Sequence, residues 1–291
     1  MSEQGRRVAV ITGASAGVGK AAAKALAAQG WRVIATGRSP ARCAEAEAEI
    51  RAASSGGDVT MIQADLALLA DVERLAAQIA GLTPQIELLA NNAGGMPARL
   101  EMTGEGLEAS IAGNHLGPFL LTQLLLPLLR TAAADGAPGA VRIINTSSDG
   151  SEMIPAINLD DLQNLDGWDS GKAYCTAKLA NVVHVRALAA RLADDGIVAH
   201  AFHPGTINSH FFDDIPDSTR AYTDTLDKLP IEAGADTLVW LATAPEGGAS
   251  TGGYWYQRAP RTPNPLADDN AVVERCWAES EQLVSSILSK V

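Results

Sequence analysis

Cysteine is scarce in this chain. Cys43, Cys175 and Cys276 are odd in number, far apart and without a C-x-x-C pair, so neither a disulfide framework nor a thiolate zinc site is supported. His115, His184, His200, His203 and His210 show no metal-ligand spacing, and each reads as a structural or surface residue. Aromatic residues make up only 4%, which leaves the core to Ala, Leu, Val and Ile. Basic residues are outnumbered, 22 against 34 acidic ones, for a net charge of −12. A field of that sign repels phosphate backbones and anionic lipid, which argues against nucleic acid and membrane surfaces as partners. It leaves room for a nucleotide cofactor, which needs only a local site. The longest apolar run, Phe119 to Leu129, is broken by Thr122, Gln123 and Pro127 and falls short of the ~20 residues of a membrane span. Arg6 and Arg7 precede only Val8-Ala9-Val10-Ile11, which is no signal peptide. These absences point to a soluble, cytoplasmic protein.

What the chain has is alternation. Apolar residues are 47% and charged residues 19% of 291, which suits a compact core. Short β-branched runs recur at Val8–Thr12, Arg32–Thr36, Val59–Gln63, Ile86–Ala90, Val141–Asn145 and Val198–Phe202. They are apolar nearly throughout, as in parallel strands covered on both faces. Between them lie Ala/Leu-rich segments of helical period, such as Ala21–Ala28, and Leu68–Ile79 with Leu68, Val72, Leu75 and Ile79 on one face. The fold class expected is α/β: a single-domain, Rossmann-like, doubly wound parallel sheet with helices on both faces. No linker or repeat divides the chain. Gly136–Gly139 reads as a loop, Tyr254–Tyr256 as a late strand and Ala267–Lys290 as a terminal helix. Ser209–Leu229 is polar and reads as a mobile lid or as a surface helix pair.

The chemistry gathers at the predicted strand ends. Thr12-Gly13-Ala14-Ser15-Ala16-Gly17-Val18-Gly19 joins the first strand to the first helix. Glycines there allow a sharp turn and a close approach to a pyrophosphate, and the helix offers free N–H groups. Where a site for NAD would carry an acid for the ribose 2′-hydroxyl stand Gly37 and Arg38. A guanidinium suits a 2′-phosphate, so NADP(H) is favoured over NAD(H). Asp65, before Leu66, could accept from an adenine amino group or cap the following helix. Asn91-Asn92-Ala93-Gly94-Gly95 allows close packing beside a nucleotide. Tyr174 and Lys178 lie four apart on a helix running to about Leu192, so phenol and ammonium share a face. An ammonium there stabilises a phenolate and lowers the phenol's pKa. Ser147 and Ser148 end the fifth strand. Asn114 sits where an apolar helix begins, as a structural cap or part of a proton relay.

Together, in this order, Thr12-Gly13-x3-Gly17-x-Gly19, Asp65, Asn92-Ala93-Gly94, Asn114, Ser148, Tyr174-x3-Lys178 and Pro204-Gly205 resemble the short-chain dehydrogenase/reductase superfamily over nearly the whole chain. Asn114-His115-Leu116-Gly117-Pro118-Phe119, Tyr174-Cys175-Thr176-Ala177-Lys178-Leu179-Ala180-Asn181 and His203-Pro204-Gly205 look like the retinol dehydrogenase/WW-domain oxidoreductase group. The stretch between Ser148 and Tyr174, longer than is usual in the superfamily, resembles the same group. The resemblance implies that Tyr174 is the proton donor or acceptor, that Lys178 lowers its pKa and binds the nicotinamide ribose, that Ser148, as the second of its pair, polarises the carbonyl, and that Asn114 anchors a water relay. It places the cofactor against Thr12, Gly13, Ser15, Gly17, Val18, Gly19, Arg38, Asp65, Leu66, Asn92, Ala93, Gly94, Pro204, Gly205 and Thr206. Ala16 departs from the pattern, since relatives that use NADP often carry a basic residue before the second glycine.

The activity expected is NADP(H)-dependent interconversion of a carbonyl and an alcohol. The substrate expected is an apolar ketone, aldehyde or secondary alcohol beside Met96, Met153, Ile154, Phe211, Phe212 and Ile215. Residues 1–145 would form the nucleotide-binding half and 146–291 the catalytic and substrate half. The rivals are reduction of a conjugated C=C bond and a non-catalytic NADP(H) sensor. The helices near Gly113–Ala133 and Tyr174–Leu192 suit pairing into a homo-oligomer, or packing on the sheet.

Overall fold

The computed structural model describes residues 6–208, 211 and 215–289. His210 and Phe212, singled out above, lie outside the described residues, as does Lys290.

Strand and helix alternate as β1 (Val8–Ile11), α1 (Gly17–Ala28), β2 (Arg32–Gly37), α2 (Pro40–Ala53), β3 (Val59–Gln63), α3 (Leu69–Leu82) and β4 (Leu88–Asn91). The second half has α4 (Ala109–Ile111), α5 (Gly117–Asp135), β5 (Arg142–Thr146), α6 (Ser170–Arg191), β6 (Val198–Phe202), α7 (Asp217–Thr223), α8 (Ile231–Thr243), β7 (Tyr254–Tyr256), β8 (Ala259–Pro260) and α9 (Asn270–Leu288). All eight strands form one sheet in the order β3-β2-β1-β4-β5-β6-β7-β8. Every pairing is parallel except β7 with β8. The sheet is therefore mixed rather than wholly parallel, because β8 returns from β7 after a two-residue turn in which Gln257 and Arg258 both take positive φ.

The two-residue period of a strand sorts the core. Val8 and Val10 join the layer of α3, α5 and α6, while Ala9 and Ile11 join that of α1, α2 and α8. Strand order reverses between β2-β1 and β4-β5, so the carboxyl ends of β1 and β4 open the crevice where doubly wound sheets bind ligands.

The helix before β5 is longer than its apolar run. α4 passes through one π-turn, Ala112–Leu116, straight into α5. By length and composition Ala109–Asp135 could cross a bilayer, yet 61% of its apolar window is buried inside the fold, as a core helix. α9 packs along α6 and reaches the start of α5. Trp277 meets Phe119 edge-on at 4.9 Å, Ser280 Oγ lies 2.7 Å from His115 Nε2, and Glu274 pairs with Arg191.

The Asp65 alternatives resolve in an unexpected way. α3 is capped from a distance by Glu105, whose carboxylate accepts from Leu69 N (2.6 Å) and Ala70 N (2.9 Å). Asp65 Oδ1 accepts only from Ala67 N, within its own turn. Replacing Glu105 with Ala strips two first-turn donors of their acceptor and is expected to lower unfolding free energy by about 1 kcal/mol. Urea denaturation measures it, and an unchanged midpoint would contradict the assignment.

Candidate active site

The turn after β1 is shaped by what its glycines allow. Gly13 (φ +66°) and Gly17 (φ +56°) take left-handed backbone. A Cβ on Gly13 would stand 2.7 Å from Ala93 Cα, and one on Gly19 2.5 Å from Asn92 Nδ2. Ala16 begins α1 without any side-chain cap, and no acid occupies the first turn. The N–H groups and positive dipole end of α1 are thus left for an anion. Thr12 is fully buried, and its hydroxyl accepts from Asn92 N (2.9 Å) and Ala93 N (3.0 Å) and reaches Ala90 O. Its side chain ties the β4 loop to the glycine turn. Leu66 is likewise a core side chain, and only its backbone could reach a ligand.

Ser15 and Val18 are partly exposed on the glycine turn and α1. Arg38 is exposed just past β2 and forms no ion pair among the described residues. Gly37 is fixed by crowding: a Cβ there would meet Ser15 Oγ at 2.7 Å and Cys43 Sγ at 2.9 Å. A carboxylate side chain at position 37 would have to displace Ser15 or Cys43. Asp65 keeps one carboxylate oxygen without a hydrogen bond among the described residues. Pro204, Gly205 and Thr206 follow β6, where Thr206 O accepts from Leu229 N at 2.8 Å.

The helix α6, N-capped by Asp169 at Lys172 N, starts a turn earlier than Tyr174 and projects Tyr174 and Lys178 toward the ends of β4 and β5. Lys178 Nζ is buried, 5.5 Å from the centre of the Tyr174 ring, and its one hydrogen bond among the described residues, to Thr146 O, is long at 3.4 Å. Gly94 makes this convergence feasible: a Cβ there would lie 2.4 Å from Asn114 Oδ1 and 2.9 Å from Lys178 Nζ. Ser147 Oγ donates to Lys178 O and is spent on packing, whereas Ser148 lies near enough to Tyr174 to draw its pKa down. Asn114 lies in the π-turn with every side-chain atom engaged: Nδ2 donates to Gly95 O (2.7 Å) and Ser110 O (2.8 Å), and Oδ1 accepts from Gly95 N (3.1 Å).

The electrostatics run opposite to the expected phenolate. Burial pushes the Tyr174 hydroxyl well above its ordinary pKa of 10; the Ser148 hydrogen bond opposes this, and Cys175 and Asp149 add to it. Burial pushes Lys178 down to about 8. In this ligand-free state the phenol is held protonated, and Lys178, at about 8, is still mostly an ammonium at neutral pH.

Sequence reading missed Asn181. Its Nδ2 donates to Asn114 O (3.0 Å) and Thr146 O (3.2 Å), locking the π-turn to β5 beside Lys178, while its Oδ1 lies 3.3 Å from His115 Nδ1. The signal was available, since Asn181 is three residues past Lys178 and seven past Tyr174, on one helix face. Of the apolar residues expected at a pocket, Phe211 packs on Tyr174 at 5.5 Å between ring centres. Ile154 and Ile215 are buried, and Met153 is exposed, too far out in solvent to line an enclosed wall.

Residues 7–219 match the family model for short chain dehydrogenase. The chain belongs to the short-chain dehydrogenase family. Human retinol dehydrogenase 13 is 34% identical over 96% of this chain and 84% of its own length. Among solved structures, an uncharacterised protein from Mycobacterium paratuberculosis superposes with a TM-score of 0.75 at 27% identity, covering 98% of this chain and 97% of the other. The Pseudomonas aeruginosa RhlG/NADP active-site complex does so with a TM-score of 0.68 at 27% identity, covering 85% and 93%. This short-chain dehydrogenase is thus an oxidoreductase dependent on NAD(P)(H), acting between carbonyl and alcohol.

Because the folded protein depresses the Lys178 pKa to about 8 from 10.5, the unfolded chain binds more protons between those values, and stability contributed at this position rises with pH across that window. Lys178→Met removes the titration. The stability of wild type relative to the variant is therefore expected to increase from pH 8 to pH 10 in ligand-free urea titrations; a flat or falling difference would refute the burial argument.

Proposed function

We propose that this enzyme uses NADP(H) to interconvert an apolar ketone or aldehyde with its alcohol, with Tyr174 as acid and base, and that it sits in the retinol dehydrogenase-like group of its family. The observation that carries the reading is the meeting of Tyr174, Ser148, Lys178 and Asn114 around Gly94, at the carboxyl ends of β4 and β5. The chain fits a dinucleotide. An uncapped α1 start faces the glycine turn, and a buried ammonium with three donors has one long carbonyl partner, which ribose hydroxyls would complement. When bound, the reduced nicotinamide supplies the hydride.

The protein's share is positioning and proton transfer. Ser148 and Tyr174 bracket the carbonyl oxygen, and Tyr174, held neutral by burial, gives its proton to that oxygen as charge develops there. In the reverse direction the phenol oxygen takes the alcohol's proton back. Lys178 holds the ribose, and Asn114, through Asn181 and the Gly94-Gly95 turn, holds the wall behind it. Tyr174→Phe is expected to lower kcat for NADPH-dependent reduction by at least about 10²-fold. Near-wild-type turnover with bound cofactor would overturn the reading.

The preference for NADP(H) rests on Arg38 without an ion-pair partner and on Gly37, where the acid that would hold a free 2′-hydroxyl would have to displace Ser15 or Cys43. The RhlG complex, a similar structure with NADP at its active site, supports the same choice. A substrate of retinol-like apolarity follows from the named relative and from Phe211 over Tyr174. We place the protein in the cytoplasm. Arg38→Ala is expected to raise KM for NADPH about 10-fold while leaving KM for NADH nearly unchanged. Steady-state kinetics with both cofactors decides it, and a wild type that prefers NADH would be fatal.

A further inference from the structure

One fully buried carboxylate has no part in the chemistry described so far. Glu108, at the N-cap of α4, has no exposed surface, and no cation faces it among the described residues. Such a group is costly unless its oxygens find donors. Burial raises its pKa, and the donors that oppose this are all neutral. Oε2 accepts from Ile111 N at 2.7 Å and so caps α4. Oε1 accepts from the Trp168 indole N–H at 3.2 Å, 60 positions further along the chain. Capping alone needs one oxygen, and a Ser or Thr supplies it without a buried charge. The second oxygen therefore has a task of its own.

The two oxygens join the element that carries Asn114 to the one that carries Tyr174. α4 runs into the π-turn, and Asn114 Nδ2 donates back to Ser110 O, inside the turn that Glu108 caps. Trp168 ends the long stretch between Ser148 and Tyr174, two residues before α6 begins. The Glu108 backbone holds the same stretch, since its N–H donates to Gln163 Oε1 at 2.9 Å. Just beyond Trp168, Ser170 Oγ donates to Pro97 O at 2.5 Å, and a Cβ on Gly171 would stand 4.0 Å from Met96 Cε. At the other end of the stretch, Asn264 Nδ2 donates to Ile154 O at 2.7 Å. The segment is thus fastened at both ends, and Met96 and Ile154, two of the apolar side chains expected beside the substrate, sit at the fastenings.

We propose that Glu108 is a positioning residue for the substrate: through Trp168 it fixes the wall formed by residues 154–169, and so sets where an aldehyde or ketone lies against Tyr174. The inference rests on the carbonyl reductase reading above. The position requires a carboxylate because both of its oxygens are acceptors. An amide has one, so in either orientation a glutamine sets its own N–H against that of Ile111 or of Trp168. The cofactor side stands apart. The glycine turn, Arg38 and Gly205 belong to other segments, and Glu108, Gln163 and Trp168 bond to none of them among the described residues.

The test is reduction of decanal by NADPH in wild type, Glu108→Gln, Trp168→Phe and the double variant, with the Kd of NADPH measured separately by its fluorescence. Glu108→Gln is expected to raise KM for decanal about 10-fold and to leave the NADPH Kd within about 2-fold. Trp168→Phe keeps a ring and leaves Glu108 capping α4, and is expected to raise that KM only about 3-fold. It also removes the opposed N–H, so the double variant is expected to fall back to the level of Trp168→Phe, where two merely destabilising changes would compound. Hydrogen exchange reads the clamp without substrate: residues 160–173 are expected to exchange at least about 10-fold faster in Glu108→Gln. An unchanged decanal KM in Trp168→Phe, an NADPH Kd that rises as much as that KM, a double variant worse than Glu108→Gln, or unchanged exchange overturns the positioning role and leaves the reductase reading intact. A wild type that reduces no aldehyde or ketone with NADPH overturns both.

Discussion

Burying the Lys178 ammonium is the constraint around which the site is built. Only 3% of the residue reaches solvent, and its hydrogen bond to Thr146 O is at the edge of useful length. A cation taken out of water at such a site costs several kcal/mol unless its donors are satisfied. The depressed pKa is the visible sign of that cost. A ligand bearing hydroxyl oxygens would relieve it by satisfying the ammonium's remaining donors.

That constraint requires rigid surroundings. A one-ångström shift of the π-turn would carry Asn114 away from Gly95 or into Lys178, and the structure removes that freedom from several sides. Gly94 admits the close approach, Asn181 bonds the π-turn to β5, and Asn92 Nδ2 reaches Thr12 O across the sheet. A π-turn inside an otherwise regular helix is a strained arrangement commonly kept at functional positions. Here it turns Asn114 toward the β4 loop while Gly117 N still bonds Ala112 O five residues back. Gly117 serves the same packing, since a Cβ on it would stand 2.0 Å from Leu66 O.

Much of this was legible from residue order. The apolar strands, the glycine turn and the pair on α6 are local signals, each carried by a handful of adjacent residues, and the strand positions they implied agree with the sheet to within about two residues. What escaped depends on contacts between distant segments. Glu105 caps α3 from 36 positions downstream, and nothing at Leu68 announces it. Thr12 is local to the glycine turn, but the direction of its side chain is set by Asn92 and Ala93, just past β4. Spacing likewise reveals the ammonium a turn away from Tyr174 but not the desolvation that raises the phenol in the ligand-free protein. The antiparallel β8 is too short to leave a pattern.

The terminal helix joins these threads. α9 seats Trp277 on Phe119 and sets Ser280 against His115, whose other ring nitrogen faces Asn181. Asn181 in turn holds Asn114 and Thr146, the groups flanking Lys178. A continuous run of buried contacts therefore leads from the outermost helix to the ammonium, and burial drives His115 down to about 4 so that the run stays uncharged at neutral pH. α9 packs along α6, the helix that carries Tyr174 and Lys178, so the rigidity of the site is tied to the docking of α9.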